Sequence, residues 1–173
     1  SESPFPRQVF IDSAQRMLAF GFAAKSVIPT LDAIQNAVVA AGGTSKDLED
    51  VVYVLNNIQS TGKFTAREFN MLGMRGINAA KVIGQAMGLA EGEVREGLAE
   101  GAIDARDALR TLIRGLAKEY KGAAEGLRGT WVGTLDRLQA RVRDFGAAFV
   151  EPFIGFTGGG ALAEGLNRIA DSL

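Results

Sequence analysis

Apolar residues recur every three or four positions along nearly the whole chain, which is the spacing of a buried helical face. Phe10, Ala14 and Met17 mark the first predicted helix. A short helical turn is expected over residues 23–28, and Pro29 is expected to open the next helix. No stretch alternates apolar and polar residues for long enough to form a sheet. We therefore predict an all-α protein with a compact multi-helix domain and a long C-terminal helix.

Helix starts are predicted where a side chain can accept a hydrogen bond from the free backbone N–H groups of the first turn. Ser45, Asn78 and Asp104 are each expected to cap a helix in this way. Thr65 and Glu68 have the spacing of a capping box, in which two residues satisfy each other's backbone donors. Glycines behind several of these helices are expected to end them, because glycine readily adopts the left-handed conformation.

The helical pattern divides the chain into three parts. We predict a compact domain over residues 1–121, a long helix over 122–152, and a glycine-rich joint with a short helix over 153–173. Pro152 is expected to end the long helix, because proline cannot continue the backbone hydrogen bonds. The sequence has no initiator Met, and we expect it to be part of a longer protein.

Seven apolar residues of the predicted long helix follow one another at intervals of three or four, close to a heptad seam. This seam consists of Leu127, Trp131, Leu135, Leu138, Val142, Phe145 and Phe149. Packing of the helix on its own domain and association with another helix both agree with this spacing. The seam is therefore a candidate surface for self-association or for a partner helix.

Composition excludes several kinds of chemistry. The 173 residues contain no cysteine and no histidine, which removes disulfides, thiol nucleophiles and the usual zinc ligands. A formal net charge of -1 gives no general attraction to nucleic acid or to an anionic membrane. The start of the chain does not have the pattern of a signal peptide, and no apolar run has the roughly 20 residues that a membrane span needs.

Charge is unevenly distributed along the sequence. Residues 44–105 contain six Lys or Arg and nine Asp or Glu, whereas residues 106–144 contain nine Lys or Arg and five Asp or Glu. This polarity indicates that the two parts either attract each other or offer different surfaces.

Two acidic clusters, at residues 47–50 and 91–96, are the only hint of acid–base chemistry in the sequence. Paired carboxylates can hydrolyse glycosidic bonds. Acidic residues are also favoured at the positive N-terminal end of a helix, and this explanation covers both clusters. We therefore predict that the chain is not an enzyme and needs no cofactor or metal.

An approximate repeat with an offset of 39 residues relates 62–65 to 101–104. Each copy has a glycine, an apolar residue in an extended position and a residue that can cap the following helix. Because short extended segments can exchange backbone hydrogen bonds, Phe64 and Ile103 are expected to form a tiny two-stranded bridge.

The first copy of the repeat also has the frame of an EF-hand calcium loop. Counted from Asn57, the frame places Gln59, Thr61, Gly62 and Glu68 at the positions expected for ligands and for the turn. The early positions lack carboxylates, which a hard cation such as calcium needs. The sequence therefore supports a degenerate EF-hand-like binding module only as an alternative to the structural interpretation.

The most informative feature is the order of several short motifs along the chain. The motifs are Ser13–Phe22, Pro29–Ile34, Val39–Gly43, Val51–Ile58, Gly62-Lys63, Glu68-Phe69, Gly76–Ala79, Met87-Gly88, Val94–Glu96, Gly101–Ala105 and Leu127–Asp136. In this order they resemble the tape measure domain of bacteriophage and prophage tail proteins. Two positions depart from the family pattern: Asn78 stands where proline is usual, and Arg67 stands where an acid is common.

The resemblance implies a structural role in a phage tail. Tape measure proteins are long helical chains inside the tail tube whose length sets tail length, and they are expelled during infection and assist genome delivery. The expected partners are the tube protein and tail assembly factors, with no specific nucleic acid. The expected location is the virion tail, and the host cytoplasm during assembly. The matched domain usually lies towards the N-terminal part of the protein, beside the long segment that acts as the ruler for tail length. A cell-wall hydrolase module, which some tape measure proteins carry elsewhere, is an alternative function.

Overall fold

The computed structural model describes residues 5–124, and every regular element within them is a helix. The helices are α1 (Arg7–Ala19), α2 (Ala24–Ala40), α3 (Ser45–Thr61), α4 (Ala66–Gly73), α5 (Ala79–Met87), α6 (Glu91–Ala99) and α7 (Ala105–Glu119). The predicted all-α, compact multi-helix domain is therefore confirmed. None of these seven helices combines the length and apolarity that a bilayer crossing requires. Residues 122–124 of the predicted long C-terminal helix form a turn, and the rest of that helix lies outside the described residues. The domain boundaries after 121 and 152 remain predictions.

Helix α2 is the centre of the packing. It lies against α1, α3 and α7, while α5 packs against α4, α6 and α7. Burying one large apolar side chain stabilises a fold by about 1.5–3 kcal/mol, so this interior is the main source of stability. The largest fully buried side chains are Phe10, Met17, Leu31, Ile34, Leu48, Leu55, Ile58, Leu72, Ile77, Ile83, Leu109 and Leu112.

Two of the predicted helix caps form as expected. The Asn78 side chain accepts a hydrogen bond from the backbone N–H of Lys81 at 3.1 Å. The Asp104 side chain accepts from the N–H groups of Arg106 at 3.0 Å and Asp107 at 2.9 Å. Each cap satisfies donors that have no partner inside the helix, which fixes where α5 and α7 begin.

The start of α3 differs from the prediction by one residue, because Thr44 and not Ser45 is the cap. The backbone N–H of Thr44 donates to Asp47 Oδ2 at 2.7 Å, and its hydroxyl donates to the same oxygen at 2.8 Å. These two bonds lower the pKa of Asp47 below its ordinary value. A capping box needs an acceptor three residues after the cap, and Thr44 has one where Ser45 does not.

The predicted helix start at Pro29 is wrong, since α2 runs without interruption from Ala24 to Ala40 with the proline inside it. Proline removes one hydrogen bond to the carbonyl four residues earlier, which here belongs to Lys25. Both Pro29 and Lys25 are exposed, so water can satisfy that carbonyl. The fixed φ of proline is compatible with a helix, so α2 continues through Pro29 despite the lost hydrogen bond.

The described chain ends by folding back onto α2. The backbone N–H of Ala124 donates a buried hydrogen bond to Asn36 Oδ1 at 2.9 Å. The Asn36 amide also donates to the Asp32 carbonyl at 2.8 Å. The neighbouring Gln35 is 1% exposed, yet its Oε1 accepts no hydrogen bond. The two adjacent side-chain amides thus differ: the oxygen of Asn36 accepts from a distant backbone group, whereas the oxygen of Gln35 is buried without a partner.

Replacing Asn36 with Leu is expected to lower the free energy of unfolding by about 1–3 kcal/mol, because the buried N–H of Ala124 loses its acceptor. The matched Gln35→Leu substitution removes an unpaired acceptor and is expected to be neutral or stabilising. Urea unfolding followed by circular dichroism measures both. Equal losses in the two variants would show that hydrogen bonding to Ala124 is not the decisive difference.

Candidate functional site

The two turns related by the 39-residue repeat lie side by side, and with α6 they enclose one groove of about 870 Å³. The first turn contributes Gly62–Ala66, the second contributes Gly101 and Ile103–Ala105, and α6 contributes Arg95 and Glu96 among others. The repeat therefore marks two segments that the fold brings together.

The predicted two-stranded bridge between these turns is wrong, since no strand or bridge occurs in the described part of the chain. The backbone N–H of Ile103 donates to the Gly97 carbonyl at 2.9 Å. The Phe64 ring stacks on Phe69, with 4.4 Å between ring centroids. Backbone donors that follow a helix satisfy its last carbonyl groups, so the N–H of Ile103 is used locally.

The side chain of Arg106, and not a backbone bridge, connects the two turns. Its Nε donates to the Gln59 carbonyl at 3.0 Å, and a Cβ atom added at Gly62 would lie 3.4 Å from its guanidinium carbon. Gln59 belongs to the last turn of α3, where carbonyl groups lack helical partners and a cation is favoured. The contact spans 47 residues, and no local sequence pattern indicates it.

Of the calcium ligands that the EF-hand interpretation requires, Glu68 instead joins α3 to α4. Glu68 Oε2 accepts from the Thr65 N–H at 2.8 Å and from the Thr65 hydroxyl at 2.5 Å, which confirms the capping box. Glu68 Oε1 accepts from the Asn57 amide at 3.1 Å. Burial alone would raise the pKa of Glu68, but the hydrogen bonds from Thr65 and from the backbone of Glu68, together with the nearby charge of Arg67, outweigh burial and lower it. Glu68 thus acts as a buried structural carboxylate.

The acidic cluster at residues 47–50 is paired with Arg75. Arg75 Nε lies 3.1 Å from Asp47 Oδ1, and its Nη2 lies 2.5 Å from Asp50 Oδ2. Lys46 also binds Asp50 at 2.5 Å, and this hydrogen bond is the main cause that lowers the pKa of Asp50. The two pairs of Arg75 attach the α4–α5 loop to α3. Within residues 5–124 no group of three or more Asp or Glu side chains is placed to hold a metal ion.

Arg95 stands between the groove and a second hollow of about 640 Å³, since it lines both of them. Its guanidinium carbon lies 4.5 Å from the centroid of the Phe69 ring, which is a cation–π contact. Asn70, Met74 and Ile77 line the second hollow, and Met74 is 76% exposed. Apolar side chains and glycine backbone form part of the lining of both hollows.

Two exposed charged faces lie on α6 and α7, and the sequence predicts them only as a general charge imbalance. The acidic face of α6 consists of Glu93, Glu96 and Glu100. The basic row of α7 consists of Arg106, Arg110, Arg114 and Lys118. Intervals of three or four residues place side chains on one side of a helix, so spacing is the signal that reveals these faces.

The seam residues are the only side chains that the sequence singled out as an association surface, and all seven lie outside the described residues. They are Leu127, Trp131, Leu135, Leu138, Val142, Phe145 and Phe149. Their role in self-association or partner binding stays a prediction.

Comparison with known proteins identifies the family. A family model described as Tape measure protein matches residues 3–151, which include all of the described helices. No curated protein and no solved structure matches the chain. Tape measure proteins are structural components of the phage tail, which agrees with the ordered motifs and with the helical fold. The chain therefore belongs to the tape measure protein family.

Proposed function

We propose that this chain is the part of a tail tape measure protein that supports tail assembly, while the longer protein sets tail length and assists genome delivery. The observation that carries the proposal is the family match over residues 3–151. The expected partners are the tube protein and tail assembly factors, first in the host cytoplasm and then in the virion tail. Self-association through the seam at 127–149 belongs to the same proposal.

A non-enzymatic role is supported by the structural use of three of the described carboxylates. Glu68 and Asp47 complete helix caps, and Asp50 pairs with Lys46 and Arg75. A catalytic acid or base needs access to a substrate and a pKa matched to its task. The pKa values of these three carboxyl groups are lowered instead, which keeps them ionised as structural partners.

The packing of α1–α7 supports a role beside the ruler and not as part of it. An extended helical ruler gains about 1.5 Å of length for each residue. Residues 5–124 instead form short helices of 8 to 17 residues that pack on one another. The length of such a unit does not grow in proportion to its sequence.

Deleting the codons for residues 5–124 in frame from the phage gene tests whether these residues support assembly without setting tail length. We expect fewer tails, with the tails that form keeping their normal length in electron micrographs. A deletion of equal size in the remaining helical part of the gene is the control, and it should shorten tails by roughly 180 Å, at about 1.5 Å for each residue. Proportional shortening by the first deletion would place residues 5–124 in the ruler.

A further inference from the structure

The acidic face of α6 and the basic row of α7 are exposed on one molecule without contacting each other through an ion pair in residues 5–124. Helix α6 packs mainly on α5, whereas α7 packs on α2, α3 and α5. We propose that the acidic face of α6 in one copy of this protein binds the basic row of α7 in a second copy. This inference does not depend on the proposed role in the tail.

Two of the three acidic residues are placed where they disfavour α6 itself, whereas Glu93 stabilises its start by accepting from the Ala90 N–H at 2.7 Å. Glu96 and Glu100 are separated by one turn, and like charges at this spacing repel each other. Both lie near the C-terminal end of α6, where the helix dipole already carries partial negative charge. Neither residue takes part in an ion pair among the described residues. A cationic partner would remove this internal conflict.

The basic row of α7 has the corresponding excess of positive charge. Arg110 contacts Asp107, and Arg106 donates to the Gln59 carbonyl. Arg114 and Lys118 make no ion pair within residues 5–124 and are exposed. Four cations at intervals of one turn repel one another, so this row also favours a partner of opposite charge.

The two faces fit each other in spacing. Glu96 and Glu100 are four residues apart on α6. On α7, Arg110 and Arg114 have the same spacing, and so do Arg114 and Lys118. One helical turn rises about 5.4 Å, so two ion pairs can form together between neighbouring helices. Small exposed residues on both helices, Ala99 on α6 and Ala117 on α7, leave room for close approach.

The contact uses different surfaces on the two copies and is therefore a head-to-tail contact. Such contacts generate rings when the rotation closes and open chains when it does not. Ion pairs at an exposed surface are weakened by water and by salt. We therefore expect weak association at low ionic strength, with an association constant that falls at least about tenfold between 0.05 and 0.5 M salt.

Charge reversal provides the test with the full 173-residue chain in analytical ultracentrifugation. Glu96→Lys with Glu100→Lys gives one variant, and Arg110→Glu with Arg114→Glu gives the other. Each is expected to lose self-association when alone, because only one of its two faces is unchanged. An equimolar mixture should associate again, because each variant supplies the charge that the other lacks.

Arg7→Glu with Lys25→Glu is the matched control, with the same change of net charge as the α7 variant. Both residues are exposed in the first turns of α1 and α2, where an acid suits the helix dipole. This control should associate like the wild type. Arg114→Gln with Lys118→Gln provides a milder second α7 variant should the reversal alter the helical circular dichroism.

Absence of salt-sensitive association in the wild type would overturn the proposal, as would a mixture that stays monomeric or a control that also dissociates. Association that resists salt and survives both reversals would show that the copies bind through other surfaces. That result would overturn the charged interface while leaving the proposed tail function intact.

Discussion

Replacing Gly84 with Ala is expected to destabilise the protein by about 1–3 kcal/mol, although alanine is normally the better helix former. A Cβ atom at this position would lie 2.5 Å from the carbonyl oxygen of Leu89. The chain folds back here because the N–H of Leu89 donates to the Gly84 carbonyl at 2.9 Å. The obstacle is backbone, so no side-chain rotation can relieve the overlap.

Gly92→Ala is the matched control because Gly92 lies inside α6 with no atom within 4 Å of an added Cβ. Without a steric obstacle, this substitution should stabilise the protein by up to about 1 kcal/mol through helix propensity. Thermal unfolding of the two variants should therefore shift the melting temperature in opposite directions. A stabilised Gly84→Ala variant would show that the α5–α6 connection is not as closely packed as the structure indicates.

The position of Gly84 also matters for the surface of α6. The turn that follows α5 passes over Gly84, and an added Cβ would also lie 3.5 Å from Val94 Cγ2. Val94 is the one fully buried residue of α6. Tight packing at a glycine therefore fixes where α6, and with it the acidic face, lies on the domain.

Local features of this fold were predictable because their causes are local. Asn78 and Asp104 cap helices through donors no more than three residues away. The predicted cap of α3 is one residue late because Thr44 and Ser45 are both able to cap, and only the acid three residues after Thr44 distinguishes them. The predicted helix start at Pro29 is wrong because a proline inside a helix is tolerated where the carbonyl that loses its partner is exposed, and that exposure depends on tertiary packing.

The groove was predictable only in part. The repeat correctly indicated that residues 62–65 and 101–104 are related, but the interaction between them could not be deduced from it. Arg106 reaches the Gln59 carbonyl across 47 residues, and a contact at that separation depends on how α3 and α7 pack. Gly84 illustrates the same limit. The sequence shows that a glycine inside a helix lowers helix stability. It does not show that the Leu89 carbonyl oxygen leaves no room for a Cβ atom at this position.

Glu68→Gln is expected to lower the free energy of unfolding at pH 7 by about 1–3 kcal/mol, because the bonds from Thr65 and Asn57 lose a charged acceptor. The side chain is 4% exposed, so water cannot replace these bonds. The substitution also tests the pH dependence of stability. Thr65 lowers the pKa of Glu68 in the folded protein, so folding favours the ionised form.

The stabilisation from Glu68 is fully present above the ordinary pKa of a glutamate, about 4.3, and is lost as the pH falls through the lower folded pKa. Urea unfolding between about pH 6 and pH 3 should show a smaller loss of stability on acidification in Glu68→Gln than in the wild type. The lowered pKa values of Asp47 and Asp50 leave a residual acid dependence in both proteins.

Glu96→Gln is the control for the loss of charge. It removes the same charge from the exposed face of α6 and should change stability at pH 7 by no more than about 0.5 kcal/mol. Parallel pH profiles for wild type and Glu68→Gln would mean that Glu68 is not held ionised by its cap, and the joint between α3 and α4 would then depend on apolar packing alone.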